Sequence, residues 1–579
     1  MSSIILVLIG FTTFFLGYKF YSKYVGQRIF EVQDETITMP SKSLEDGMDY
    51  VPTKKHILFG HHFTSIAGAA PIIGPCVAAY WGWLPALLWI LIGTVFMGAV
   101  HDFGALVTSV KEKGRSIADI ASSTISKRAR IMFLIFIMLL VWLVLAVFAM
   151  VIADRFVKSP SSVIPINVQI IIAITMGFLI YKKKINSLIP SLVAVVLLYF
   201  FVWVGTKFPI DFTNSMIELE PLATNYWIII LFIYSGIASL LPVWTLLQPR
   251  DYINSHQLFI GLGLLFTGIF VAQPIVEAPA IRSFSDPGTP GLFPLLFVTI
   301  ACGAISGFHG LVASGTSSKQ LEQLQDSRFV GYGGMIGEGT LALFSTVAAV
   351  AGISLVAQSD IPNYSVAVSG LNNWEVYYDT WAHASGNKTA AFVLGGGELL
   401  QSLGISKSFA ETLMSVLIIS FAATTLDTAT RIQRLILNEF GAATNIKPLS
   451  NRYIATIIAI APAMLLAFWD IADPGMPSGG MRQAGFVLWP IFGASNQMLA
   501  ALTLMVLTLY YWQKKKPILP LLIPMLIIMI VTFTALITNA IKFFGENGIL
   551  FSLTIILMGL ILWMAFEGLN KVLEIRRRL

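Results

Sequence analysis

From one end to the other the chain is a succession of apolar runs of about twenty residues separated by short polar connectors, about fifteen runs in all. In lipid, a backbone group left unpaired costs several kcal/mol, so runs of this length can cross only as helices. An all-α polytopic membrane protein with about fifteen transmembrane helices follows. Composition agrees: 56% of residues are apolar and 12% charged, against about 25% charged in soluble domains. The net charge of +6 then marks loops retained on the cytoplasmic side, and a nucleic-acid partner is not expected. Cys76 and Cys302 both lie inside apolar runs and form neither a disulfide framework nor a zinc spacing.

Assigning alternate loops to alternate sides places 29 of the 37 Lys and Arg on one side and 8 on the other. That asymmetry puts the N-terminus outside and the C-terminus in the cytoplasm. The first apolar run has no charge before it and Lys19 and Lys23 after it, the pattern of an uncleaved helix. Two loops are long: 21–56, cytoplasmic, and 358–408, external, with Trp374, Tyr377, Tyr378 and Trp381. The external loop reads as a lid or as aromatic packing at the membrane interface.

One segment is unusual for a span. Gly60, Gly68, Pro71, Gly74 and Pro75 fall within the stretch 59–75, and each proline removes a backbone donor that lipid cannot replace. The pattern predicts a helix broken inside the membrane, whose exposed N–H and C=O ends hold a carboxylate or a cation; close small-residue packing with a proline kink is the alternative. A second interruption is expected at Gly236 to Pro242, five spans later and in the opposite orientation. Paired breaks in inverted five-helix units point to a secondary transporter's site. His61, His62, Ser65, Gly68, Gly236, Ser239 and Trp244 are accordingly the candidate substrate-binding residues.

The ninth run ends in hydroxyls followed by a lysine. Ser314, Thr316 and Lys319 are candidates for cation coupling: the hydroxyls suit sodium, and an ammonium in their place responds to protons. A lysine snorkelling from a helix end is the alternative. Asp102, Glu338 and Asp427 are the carboxylates within spans, with His61, His62, His101 and His309 beside them. Asp102 and Asp427 join the coupling candidates, or else lock the cytoplasmic face by pairing with Arg431. No nucleotide-binding loop, metal-binding pair or nucleophile elbow is found, so no catalytic residue, metal or cofactor is expected.

The runs Gly60-His-His-Phe-Thr-Ser-Ile-Ala-Gly-Ala-Ala-Pro71, Gly98-Ala-Val-His-Asp-Phe103, Leu246-Leu-Gln-Pro-Arg-Asp-Tyr-Ile253, Thr424-Thr-Leu-Asp-Thr-Ala-Thr-Arg431 and Trp489-Pro-Ile-Phe-Gly-Ala-Ser-Asn-Gln497 resemble the carbon starvation protein A family. The resemblance implies a bacterial inner-membrane importer of peptides or pyruvate, active when carbon is scarce and coupled to protons, with sodium as the alternative. It also implies the LeuT-like five-plus-five inverted repeat of the amino acid, polyamine and organocation transporters, with extra helices at both ends. On this reading residues 1–56 form an N-terminal helix and loop. Residues 57–247 form the first part of the core with both broken helices, 248–447 its remainder, and 448–579 accessory helices. A channel and a membrane starvation sensor are the competing classes.

Overall fold

The computed structural model describes every residue except 1, 35, 213–219, 284–288, 363, 365–369, 469–487 and 579. The described residues are helical apart from loops, turns and two isolated bridge pairs. Among them, twelve helices are long and apolar enough to cross a membrane. They are α1 (Ser3–Arg28), α4 (Trp83–Lys111), α5 (Lys127–Lys158), α6 (Pro160–Lys182), α7 (Leu188–Lys207), α8 (Ala223–Leu240), α9 (Leu247–Ala272), α13 (Leu324–Val350), α14 (Lys407–Thr444), α16 (Trp489–Gln513), α17 (Leu519–Phe543) and α18 (Gly548–Arg577). The pair α2 (Lys55–Ala67) and α3 (Ala70–Trp81), bent by 44°, makes a thirteenth when taken as one span.

The remaining two of the fifteen expected runs take another form. One is the sixteen-residue helix α15 (Arg452–Ala467). The other, 292–318, is divided into α10 (Leu292–Thr299), α11 (Ala301–Ala304) and α12 (Gly307–Gly315). Ile305 and Ser306 between α11 and α12 are extended, with φ of −161° and −133°.

Among the described residues, non-helical backbone interrupts the broken spans at 68–69 and 305–306, which corrects the expected second break. α8 runs unbroken through Gly236 to Leu240 with Ile229, Ile233 and Ile237 exposed along it. Pro242 stands in the turn before α9, where a proline ends a helix without interrupting a span. The stretch 57–247 thus holds one broken helix, not two.

Gly68 allows the first break. Its φ is +48°, and a Cβ there would meet the Phe148 ring and the Thr425 hydroxyl at 2.9 Å, so no larger residue fits. Glycine also brings the two broken spans together, since a Cβ on Gly74 of α3 would stand 2.3 Å from the Thr299 carbonyl oxygen of α10.

Burial separates core from rim. The apolar stretch of α16 is entirely buried and that of α14 is 89% buried, whereas α18 hides only 28% and α1 and α7 33%. Polar residues concentrate in the inner set, and the rim helices expose isoleucine, leucine and phenylalanine to lipid.

Candidate functional site

The two breaks face one cavity. Ala67 and Ala70 from the first, and Cys302, Ser306 and Phe308 from the second, close around a space of about 10 Å³ with Phe148, Thr425, Phe492 and Asn496. That volume is room for one water.

The side chains around the breaks occupy the backbone groups the breaks release. Thr424 and Thr425 of α14 donate their hydroxyls to the carbonyls of Thr64 and Ser65 at 3.0 and 3.2 Å, satisfying the last turn of α2. At the second break Asn496 Oδ1 accepts from the Phe308 amide at 2.9 Å, while its Nδ2 donates to Ser306 Oγ at 2.9 Å. Two helices, α3 and α12, thus begin at the same cavity, and each aims the positive end of its dipole into it.

On the side of α2 facing α9 lies a buried ionic cluster. His61 Nδ1 donates to Asp251 Oδ2 at 2.6 Å, and Ser65 Oγ donates to the same oxygen at 3.3 Å. The Ser65 and Thr428 hydroxyls are 3.3 Å apart. Next to it, Asp427 Oδ2 accepts from the Tyr234 hydroxyl at 2.8 Å and from Arg250, whose Nη1 also donates to Tyr234 at 2.6 Å. Arg250 Nη2 reaches to 3.8 Å from Asp251. One arginine thereby serves two carboxylates in a region closed to water.

A second cluster, built of histidines and carboxylates, lies where α4, α12 and α13 meet. His309 places Nδ1 3.0 Å from Asp102 Oδ2 and Nε2 3.2 Å from Glu338 Oε2. His101 places Nδ1 2.7 Å from Asp102 Oδ1. All four side chains are fully buried. His62 lies at the adjoining face of α2, with Nδ1 2.8 Å from Ser317 Oγ.

Beyond the breaks, one end of the protein is sealed and the other carries a recess. At the end bearing loop 21–56, Arg431 donates to Asp49 Oδ1 at 2.7 Å and to the Leu241 and Met48 carbonyls at 2.7 and 3.2 Å. Burial alone would raise the Asp49 carboxyl, but Arg431 and Lys319 more than offset it and hold it below its ordinary value. At the end bearing loop 358–408, a recess of about 250 Å³ is lined by Ile73, Asp154, Arg155, Lys158 and Lys388. The aromatic residues of that loop pack inward: Tyr378 donates its hydroxyl to the Cys76 carbonyl at 2.6 Å, and Trp381 lies 4.8 Å from Trp81. Asn363 of the same loop lies outside the described residues.

The expected site residues thus divide. His61, Ser65 and Gly68 line or adjoin the first break, Asp102 belongs to the histidine cluster and His62 adjoins it, and Asp427 joins the arginine cluster. Gly236, Ser239 and Trp244 do not reach the breaks: Gly236 faces Ile460 on α15, Ser239 donates to the Gly236 carbonyl at 2.8 Å, and Trp244 lies beneath the Lys182 ammonium at 4.9 Å.

The coupling candidates at the end of α12 are spread over several contacts. Ser314 and Thr316 donate their hydroxyls to their own helix, at Gly310 and Val312, at 2.7 and 2.9 Å. Lys319 lies 5.4 Å from the Tyr50 ring at the sealed end, where it faces Asp49 instead of Gly68. The partner of Asp427 is Arg250, with Arg431 turned to Asp49. Arg250, Asp251, Thr425 and Asn496 were not among the expected site residues, although all four fall in the quoted motifs. Their spacing has no local signature because each meets its partner across distant helices.

Comparison with known proteins follows the same residues. The family described as carbon starvation protein CstA matches residues 2–535. A peptide transporter CstA of Campylobacter jejuni is 32% identical over 549 residues, 88% of this chain and 76% of that protein. A peptide transporter CstA of Mycobacterium tuberculosis is 31% identical over 566 residues, 89% of this chain and 72% of its own. The pyruvate/proton symporter BtsT of Escherichia coli is 30% identical over 576 residues, covering 89% and 78%. A crystal structure of an Eremococcus coleocola manganese transporter aligns with 92% of the chain at 15% identity and a TM-score of 0.47, too low to assign a shared fold.

Proposed function

The chain belongs to the carbon starvation protein CstA family, and from that membership we propose that it is a secondary transporter of the bacterial inner membrane. It imports a small carboxylate nutrient, a peptide or pyruvate, by proton symport when carbon is scarce. The observation that carries this reading is the convergence of two helix N-termini, at Ala70 and Gly307, on one cavity between broken spans. Such a pair favours an anion. Peptides and pyruvate, the cargoes in the relatives' names, share the carboxylate that such a pair would attract once the cavity, closed here to the size of one water, opens. The symporter among the relatives supports protons as the coupling ion.

The architecture behind this reading has fifteen crossings, with the N-terminus outside and the C-terminus in the cytoplasm. Ten of them form a LeuT-like inverted repeat: α2 with α3, α4, α5, α8 and α9, then α10 with α11 and α12, α13, α14, α15 and α16. The packing supports it pair by pair. α2 packs on α9 as α10 and α11 pack on α16, α3 packs on α13 as α12 packs on α4, and α5 lies along α14. The antiparallel pair α6 and α7 is then a hairpin inserted in the first half, and α1, α17 and α18 are accessory.

Reconstitution tests the function. Purified protein in proteoliposomes, given an inward proton gradient, should accumulate labelled pyruvate or dialanine and should lose accumulation when a protonophore collapses the gradient. Uptake that never exceeds equilibration would overturn the reading.

A further inference from the structure

We propose that His309, held between Asp102 and Glu338, is the group that takes up and releases the coupling proton. The proposal rests on the proton-coupled reading above and assigns that proton to atoms.

The argument begins with the two ring nitrogens. Nδ1 stands 3.0 Å from Asp102 Oδ2 and Nε2 stands 3.2 Å from Glu338 Oε2. The Nδ1 contact is a hydrogen bond, whereas Nε2 and both Glu338 oxygens are buried without a hydrogen-bond partner and meet at ion-pair distance only. A neutral imidazole carries one N–H and so serves at most one of the two carboxylates. The arrangement is attractive on both sides only when one further proton is present, on the ring or on the Glu338 carboxyl. Both nitrogens, both carboxylates and the ring are fully buried, so water cannot stand in for that proton at low cost.

The second step is charge. Among the described residues the ion-pair partners of Asp102 and Glu338 are histidines alone. The groups facing the cluster are His101 from α4, His62 from α2 and Cys302 from α11, none of which carries a fixed positive charge. The other buried cluster differs in this respect, because Arg250 supplies a permanent cation to Asp427 and Asp251. Among the described side chains around His309 the positive charge facing the two carboxylates comes only with a proton on a histidine, which makes this the cluster whose charge responds to protons.

The third step is position. His309 lies on α12, three residues beyond the break at Ser306, and Phe308 beside it lines the cavity. Asp102 is on α4 and Glu338 on α13. The protonated imidazole therefore ties the second half of a broken span to two of its neighbours, and loss of the proton turns one tie into a repulsion. α12 approaches α4 closely enough that a Cβ on Gly310 would stand 3.0 Å from the His101 ring, so a change in that attraction is felt directly by the helix that closes the cavity.

Proteoliposomes decide the matter with labelled pyruvate and labelled dialanine as probes. Accumulation under an imposed proton gradient is compared with counterflow exchange at equal pH on both sides, which needs binding and helix movement but no gradient. Glu338→Gln and His309→Gln should bring the accumulation ratio to one while counterflow stays within about threefold of wild type. Thr316→Val should accumulate as wild type does. If a Gln variant does not fold, Glu338→Asp decides: it shortens the reach to Nε2, weakens the hold on the extra proton and should move the pH profile of accumulation to lower pH. Gradient-driven accumulation by Glu338→Gln, or an unchanged profile in Glu338→Asp, overturns the assignment. If wild type itself accumulates neither probe, the proton-coupled reading fails first. If His61→Gln alone abolishes accumulation while Glu338→Gln keeps it, the proton belongs to the Asp251 cluster and the assignment is wrong.

Discussion

Arg431 and Asp49 are 382 residues apart in the chain and 2.7 Å apart in space. The pair holds loop 44–54 against the side of α14 and the end of α8. Removing the guanidinium should leave Asp49 without its main partner at a site that α14 fills, a loss of about 1.5–3 kcal/mol for a charge-assisted hydrogen bond. Arg431→Ala should make the loop susceptible to protease at neutral pH, where the wild-type loop resists.

The same pair has a pH signature. Asp49 is held below its ordinary value, so its contribution is complete above the unfolded carboxylate value of about 3.9 and is lost as the pH falls through the lower folded value. Pepsin digestion across an acid series should therefore nick loop 44–54 only at pH below that of an ordinary aspartate, and Asp49→Asn should be nicked at every pH tested. Nicking of the wild-type loop between pH 5 and 6 would contradict the assignment.

Gly68 predicts a backbone effect distinct from chemistry. At φ +48°, with Phe148 and Thr425 in the space a methyl would take, Gly68→Ala should cost about 1–3 kcal/mol in strain and lower the thermal midpoint of the detergent-solubilised protein. It should also abolish counterflow, since the break cannot keep its angle. A stable, active Ala variant would show that the break does not need glycine.

The two adjacent histidines should separate in experiment. His61→Ala leaves Asp251 buried with only a distant arginine and the Ser65 hydroxyl, a loss of about 3–5 kcal/mol typical of a broken buried pair. His62→Ala removes one hydrogen bond, to Ser317, at about 1 kcal/mol. Thermal midpoints should therefore fall far more for His61 than for His62; equal falls would mean that the Asp251 contact is worth no more than the Ser317 hydrogen bond.

Asn496 satisfies the first turn of α12, and Asn496→Leu would leave the Phe308 amide and Ser306 hydroxyl unpaired. A raised KM for uptake with little change in counterflow rate at saturation is expected, at about 1–3 kcal/mol. A variant with unaltered KM would place substrate elsewhere.

What the sequence makes legible follows from what is local. The break at Gly68 is visible because glycine and proline act on their own backbone, and the helical runs are visible because lipid exposure requires continuous apolarity. The break at 305–306 is hidden because Ile305 and Ser306 are ordinary residues forced into extended geometry by tertiary packing. Gly236 and Pro242 misled for the converse reason: glycine is tolerated within a helix packed against a neighbour, and a proline at a helix end is unremarkable. The clusters around Asp251 and His309 unite helices 190 and 207 residues apart, a distance over which a single sequence carries no pairing signal. Lys319 shows the limit most plainly, since its side chain chose an aromatic ring and an aspartate at the sealed end over the hydroxyls one turn away.

The α6–α7 hairpin has a consequence of parity. A chain that crosses a bilayer twice returns to the face it left, so inserting two helices between α5 and α8 leaves the direction of every later helix unchanged. A single inserted helix would have reversed them all, turning α12 end for end and carrying the Arg431 lock to the opposite face. Length can thus be added to such a core only in even steps, and a chain lacking 160–207 would still thread its remaining helices in the same senses.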